Sequence, residues 1–250
     1  MNIVITGASR GIGFELAKKF AANGNHRIVV IARNNDKINE LKVVCSKLNA
    51  YSSIFPIQYD LLNIDTYESI LINEIKKNIT DVDIIINNAG LLINKPFERL
   101  SIVEISDMIN LNLIAPALLI KAILPKVKKG GHIVNISSMG GFQGSQKFSG
   151  LSVYSAAKAG LASLTECLAE EYKEREISFN CLALGATDTE MLREAFPGYN
   201  APFKAEEMAD FIADFALNKG RFFNGKLFLF QFLLHKKTAS RAVSLCDVYY

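Results

Sequence analysis

Short apolar runs rich in β-branched residues recur along this chain, each followed by a longer segment with helical periodicity, and few folds accept that alternation. Asn2–Thr6 is predicted as the first strand. Arg27–Ala32, Ile54–Tyr59, Val82–Asn87, His132–Ser137, Ile177–Leu184 and Lys226–Phe230 are predicted as six more. The intervening helices are placed at Ile12–Asn23, Asp36–Leu48, Ile64–Asn78, Ile105–Leu124, Tyr154–Lys173 and Ala205–Asn218. Pro56 weakens the third strand, because proline cannot donate to a sheet ladder. Strands that are apolar at nearly every position, such as IVVIA and DIIIN, fit burial on both faces. The pattern therefore predicts an α/β fold: a doubly wound, seven-stranded parallel sheet with helices on both faces.

The chain has 250 residues, half of them hydrophobic and 21% charged, which excludes disorder as the dominant state. One large domain over 1–230 is expected, two small ones being the alternative. The net charge of +3 is too mild, and the basic residues too scattered, to imply nucleic acid. The four cysteines, Cys45, Cys167, Cys181 and Cys246, have neither redox nor metal-site spacing, so no metal site is expected. Cysteines scattered in this way suggest a reducing compartment. MNIVITGAS has no basic region ahead of its short apolar run, so no signal peptide is expected. The apolar stretch Ile109–Leu124 is interrupted by Asn110, Asn112, Pro116 and Lys121, so a membrane span is not expected and the cytoplasm is the expected location.

Thr6-Gly7-Ala8-Ser9-Arg10-Gly11-Ile12-Gly13 lies between the first strand and the first helix. Glycines allow a tight turn and close backbone approach, and the helix N-terminus offers free N–H groups to an anion. A glycine-rich turn without a ligand is the alternative, but the position after strand one and before helix one marks a dinucleotide site. Such sites commonly place an acid about 20 residues further on, against the ribose 2′-hydroxyl. Here the second strand ends in Ile31-Ala32-Arg33. Arg33, with Arg10 from the glycine loop, suits a 2′-phosphate, so NADP(H) is expected over NAD(H); two solvated surface arginines are the alternative.

Tyr154-Ser-Ala-Ala-Lys158 places a phenol and an ammonium on one helical face. A nearby cation lowers a phenol's pKa from about 10 and equips it for proton transfer. Taken with TGASRGIG at Thr6–Gly13, Asp60 after the third strand, NNAG at Asn87–Gly90, LNL around Asn112 and ISS at Ile136–Ser138, the chain resembles the short-chain dehydrogenase/reductase family, in its common 250-residue branch. The matching motifs span about residues 1–190.

The resemblance implies a Rossmann-like fold and specific roles. Tyr154 exchanges the proton with the substrate oxygen, and Ser138 hydrogen-bonds that oxygen. Lys158 binds the nicotinamide ribose and lowers the Tyr154 pKa. Asn112 anchors a water that links Lys158 to solvent. Gly7, Ser9, Arg10, Gly11, Ile12 and Gly13 hold the pyrophosphate side, and Asp60 and Leu61 the adenine. Asn88, Ala89 and Gly90 line the cofactor channel, while Asn87 braces the sheet. Gly185, Thr187 and Thr189 hold the nicotinamide end. The substrate is a small carbonyl compound or alcohol, and a homodimer or homotetramer forms on the helices at Ile105–Leu124 and Tyr154–Lys173.

Some segments depart from the family pattern. The stretch GGFQGSQKFSG between Ser138 and Tyr154 is longer than usual and leaves Ser137 and Ser145 as alternatives to Ser138. Leu184-Gly185 replaces the usual Pro-Gly. After Thr189, the family's mobile lid carries Met191, Leu192, Phe196 and Tyr199, which suggest an apolar pocket, and Arg193, which could attract an acidic substrate. The Gly-Gly that many relatives carry near their end is missing. A general carbonyl reductase is therefore ranked above a 3-oxoacyl-carrier-protein reductase, with a non-catalytic dinucleotide sensor as the rival from another class. Gln231–Tyr250 matches no known pattern; a disordered tail, a subunit-contacting arm and a tail altered by a change of reading frame all stay open.

Overall fold

A computed structural model describes residues 1–230. The expected strands form β1 (Asn2–Thr6), β2 (Arg27–Ala32), β3 (Ser53–Gln58), β4 (Val82–Asn87), β5 (Val127–Ser138), β6 (Ser178–Leu184) and, after two short strands described below, β9 (Lys226–Leu229). They make one seven-stranded sheet in the order β3-β2-β1-β4-β5-β6-β9, and every pairing is parallel. Pro56 is tolerated because β3 is an edge strand.

The strands β1 to β6 feed both faces. Ile3 and Ile5 join one core and Val4 the other, as the two-residue period of a strand requires. The first core is closed by α1 (Gly11–Ala22), α2 (Asn35–Leu48) and α8 (Ala205–Asp214), through Leu16, Phe20, Leu41 and Ile212. The second is closed by α3 (Asn73–Asn78) and α5 (Ala115–Ile123), through Ile75, Leu119, Ile120 and Ile123.

Several boundaries differ from the sequence reading. The helix expected at Ile105 begins with α4 (Ile102–Ile109), where Ser101 and Glu104 make a reciprocal capping box. It continues through a π turn at Asn110–Ile114 into α5. The run Ile102–Lys126 is long and apolar enough to cross a bilayer by length and composition alone. Its α5 face packs into the second core, which marks it as a core helix. The segment expected as one helix over Ile64–Asn78 is broken into 3₁₀, π and α turns. β5 starts at Val127 rather than His132, and Lys128–Gly131 forms an irregularity within the strand, with Gly130 at φ +77° and a shift of register against β4. Cys45 and Cys181 are buried free thiols, and Cys167 is exposed and free. The tail Gln231–Tyr250, including Cys246, lies outside the described residues.

Candidate functional site

The sheet order reverses between β1 and β4, and in doubly wound folds ligands bind in the crevice at such a point. Here the crevice is a cavity of about 1420 Å³. A single small-molecule site usually occupies about 300–1,000 Å³, so there is room for two ligands side by side.

On one side lies the turn from β1 into α1. Gly7 has φ +71°, and a Cβ there would stand 2.8 Å from Ala89 Cα. At Gly13 a Cβ would be 2.3 Å from the Gly7 carbonyl oxygen and 2.5 Å from Asn88 Nδ2. Hydrogen bonds tie this turn to the end of β4. Thr6 Oγ1 accepts from the backbone N–H groups of Asn88 and Ala89, each at 3.0 Å, and Asn88 Nδ2 donates to Thr6 O at 3.0 Å. No side chain caps α1 and no acid stands in its first turn, so its leading N–H groups and positive dipole end remain available to an anion. Gly7, Ser9, Arg10, Gly11 and Ile12 line the cavity; Gly13 instead packs under the loop.

Further along the same wall are Arg33, Asp60 and Leu61, then Asn88, Ala89 and Gly90. Asp60 holds its own turn by accepting from Leu62 N at 3.0 Å. Asn87 does not line the cavity; its amide donates to Asn135 Oδ1 at 2.8 Å, and Asn135 donates to Thr165 Oγ1 at 2.9 Å. That buried chain fastens β4 and β5 to α6 (Ser152–Glu171), the helix that carries Tyr154 and Lys158.

Tyr154 packs with Met108 and Val153 in a small core between α4 and α6. Its phenol lies near enough to Ser138 to be influenced by that hydroxyl, and both residues line the cavity. The alternatives to Ser138, Ser137 and Ser145, also border the cavity but donate their hydroxyl protons to backbone carbonyls. Ser137 Oγ donates to Lys158 O at 2.9 Å, and Ser145 Oγ to the carbonyls of Met139 and Phe142. Burial pushes the Tyr154 phenol up to about 12, with the Ser138 hydroxyl pulling the other way. The Lys158 ammonium lies 5.9 Å from the Tyr154 ring centroid and donates to Ile136 O at 2.8 Å. Burial draws Lys158 itself down to about 8, opposed by Cys181.

Asn112 stands in the π turn, fully buried, and does not line the cavity. Its amide nitrogen donates to Leu91 O at 2.7 Å and to Met108 O at 2.8 Å, and its oxygen accepts from Leu91 N at 3.2 Å. The side chain is thus committed to fixing the segment after Gly90.

Gly185, Thr187 and Thr189 line the opposite wall. A Cβ at Gly185 would stand 2.6 Å from the Phe230 carbonyl, so the absence of a side chain there serves the close passage of the chain after β9. Two short strands, β7 (Thr187–Asp188) and β8 (Phe203–Lys204), pair and frame the segment between them, which contains α7 (Glu190–Ala195), capped by Thr189. Met191, Leu192, Phe196 and Tyr199 line the cavity, as the sequence suggested. Arg193 does not; it is paired with Asp188. Arg10 makes a 2.8 Å ion pair with Glu194 of α7, and Glu190 also borders the cavity, its Oε2 3.7 Å from the position of a Cβ on Gly11.

Met139 and Phe148, from the stretch between Ser138 and Tyr154, also face the cavity and were not singled out in the sequence. No motif marks them; only the unusual length of that stretch hinted at a role.

Comparison with known proteins agrees with this arrangement. A family model described as short chain dehydrogenase matches residues 1–200. The chain is 32% identical over 216 residues to a fatty acyl-CoA reductase of Acinetobacter baylyi, covering 84% of this chain and 70% of that one. It is 31% identical over 192 residues to the 3-oxoacyl-[acyl-carrier-protein] reductase FabG of Aquifex aeolicus, covering 75% and 74%. The solved structure of a short chain dehydrogenase from Burkholderia cenocepacia in complex with NADP matches with a TM-score of 0.80 at 25% identity, covering 91% of this chain and 94% of that one.

Proposed function

The chain belongs to the short-chain dehydrogenase family and is an oxidoreductase that uses a nicotinamide dinucleotide; from that premise we propose that it transfers hydride reversibly between NADP(H) and a carbonyl compound or the matching secondary alcohol. The observation that carries the reading is the Ser138–Tyr154 hydroxyl pair, facing a cavity whose other end is the glycine loop. When bound, the dinucleotide supplies or accepts the hydride.

The residues present fit such a group. The uncapped start of α1 can receive the pyrophosphate, and the bare backbone of Gly7 leaves room for it. Arg33 borders the cavity at the end of β2, where a 2′-phosphate would meet a guanidinium, and Arg10 can join it on leaving Glu194. Asp60 and Leu61 border the adenine end, while Gly185, Thr187 and Thr189 border the nicotinamide end. Lys158 uses one ammonium proton on Ile136 O and has two more for ribose hydroxyls.

In the reducing direction Ser138 and Tyr154 place two hydroxyl donors on the substrate oxygen, where negative charge develops. Tyr154, protonated throughout the neutral range, then gives up its proton as general acid. Asn112 is a positioning residue: it fixes Leu91, beside Gly90 and the base of the site. A purely binding role would need the glycine loop but neither Ser138 nor Tyr154, which disfavours the sensor reading.

A second reading, reduction of 3-oxoacyl groups on a carrier protein, is supported by the name of the Aquifex aeolicus relative. We assign the catalytic domain to 1–230, the location to the cytoplasm, and assembly to a homodimer or homotetramer on α4–α5 and α6. Sedimentation as a monomer at micromolar concentration would contradict the assembly. The activity is tested by following NADPH absorbance with a panel of ketones and aldehydes. Stoichiometric formation of alcohol is expected, and NADPH binding without consumption on any carbonyl would refute the reading.

A further inference from the structure

The charges around the cavity are distributed unevenly. Apart from Lys158, the charged residues that line it are Arg10, Arg33, Asp60 and Glu190, all on the glycine-loop side. Beyond Tyr154 the walls are mostly apolar, with Met139, Phe148, Met191, Leu192, Phe196 and Tyr199, and their polar side chains, Ser145, Gln146 and Asn200, are uncharged. Three cations near that end in sequence are already engaged, and Lys204, which follows the lining residue Phe203, is exposed and does not itself line the cavity. Lys147 directs its ammonium back into its own loop, onto Gly140 O and Ser145 Oγ, each at 3.0 Å, and onto Phe142 O. With three acceptors for three protons, it has none left for a ligand. Arg193 is paired with Asp188, and Lys95 with Glu104 at 2.9 Å.

Phe148 and Tyr199 border the cavity while remaining 50% and 53% exposed, so each has one side toward the interior and one toward water. Large aromatic side chains left half-wet at the mouth of an apolar cavity gain by being covered. The polypeptide that places them is fixed: Asn94 Nδ2 donates to Ala195 O at 2.9 Å, and Lys95 N to Gly150 O at 3.1 Å. Those bonds tie the lid helix and the stretch before α6 to one common segment.

We propose that the substrate is a neutral ketone or aldehyde carrying an extended apolar group, which leaves the Ser138–Tyr154 pair and runs outward between Phe148 and Tyr199. Substrates with a carboxylate or phosphate on that group are disfavoured, because the charge would lose its hydration and meet no cation in that wall. This deepens the carbonyl-reductase reading and rests on it.

The test uses the full chain with saturating NADPH and a series of methyl ketones lengthened two carbons at a time. A ketone of eight carbons is compared with an analogue that ends in a carboxylate. We expect kcat/KM to rise about fourfold for each methylene that becomes buried. We expect the neutral ketone to exceed its carboxylate analogue by at least about tenfold. In a Phe148→Ala, Tyr199→Ala double variant the dependence on chain length should flatten while NADPH affinity is retained. Preference for the carboxylate, or no dependence on length with the ketones still reduced, overturns the substrate class and leaves the carbonyl-reductase reading standing. If NADPH binds and no member of either series is reduced, the carbonyl-reductase reading fails and the substrate class falls with it.

Discussion

The two ends of the cavity are built on different principles. The glycine-loop end is backbone: a turn with no room for side chains, an uncapped helix start and strand ends locked by Thr6 and Asn88. The far end is side chains, mostly apolar, delivered by the stretch between β5 and α6 and by α7 with the segment that follows it, and held by a few polar contacts. A site made of backbone tolerates few residue types and so leaves a motif. One made of apolar side chains accepts many combinations and leaves none. The contrast separates what a family shares from what one member does.

The largest effect should come where the two ends meet. Tyr154→Phe removes the proton donor and is expected to lower kcat by about a hundred- to ten-thousandfold, with NADPH affinity retained. Turnover close to wild type would break the assignment. At the backbone end, Gly13→Ala drives a Cβ into the Gly7 carbonyl and the Asn88 amide. Overpacking of about 1–3 kcal/mol is expected, seen as a lower melting temperature together with weakened NADPH binding. Normal binding and stability would show that the turn is more forgiving than its geometry implies.

Lys158 sharpens the comparison through pH. Its ammonium, lowered to about 8, loses its charge as pH rises through that value, while Tyr154 at about 12 keeps its proton. Carbonyl reduction should therefore fall above about pH 8, by about tenfold for each further unit. A flat profile up to pH 10 would remove the lysine from the reaction.

The smallest effects concern the link between the ends. Arg33→Ala is expected to weaken NADPH binding by about ten- to a hundredfold and to spare NADH. Glu194→Gln should act in the opposite direction. Freed from its exposed ion pair, Arg10 can turn to the 2′-phosphate, and NADPH should bind about two- to fivefold tighter. No change would mean that the pair and the cofactor do not compete.

Most of the sheet was legible in the sequence, because strands buried on both faces are apolar at almost every position. The errors lie where local signals conflicted. Lys128–Gly131 reads as a loop but is an irregularity within β5. Ile102 and Val103 are exposed, so periodicity missed the start of α4, although Ser101 and Glu104 spell its cap. The π turn at Asn112 has no recognisable code, and it places the amide on Leu91. The glycine loop, Ser138, Tyr154 and Lys158, which the structure brings to one cavity, each belong to a short motif. The pairings Arg10–Glu194 and Arg193–Asp188 were not, because contacts between exposed charges depend on how the lid folds back.

The most direct measurement is titration of the purified protein with NADPH and with NADH, followed by the enhancement of nicotinamide fluorescence. We expect both to bind, with NADPH tighter by at least about tenfold, reflecting charge-assisted bonds from Arg33 and Arg10 to the 2′-phosphate. Equal or tighter binding of NADH would contradict that clamp, and failure of both to bind would contradict the cofactor site itself.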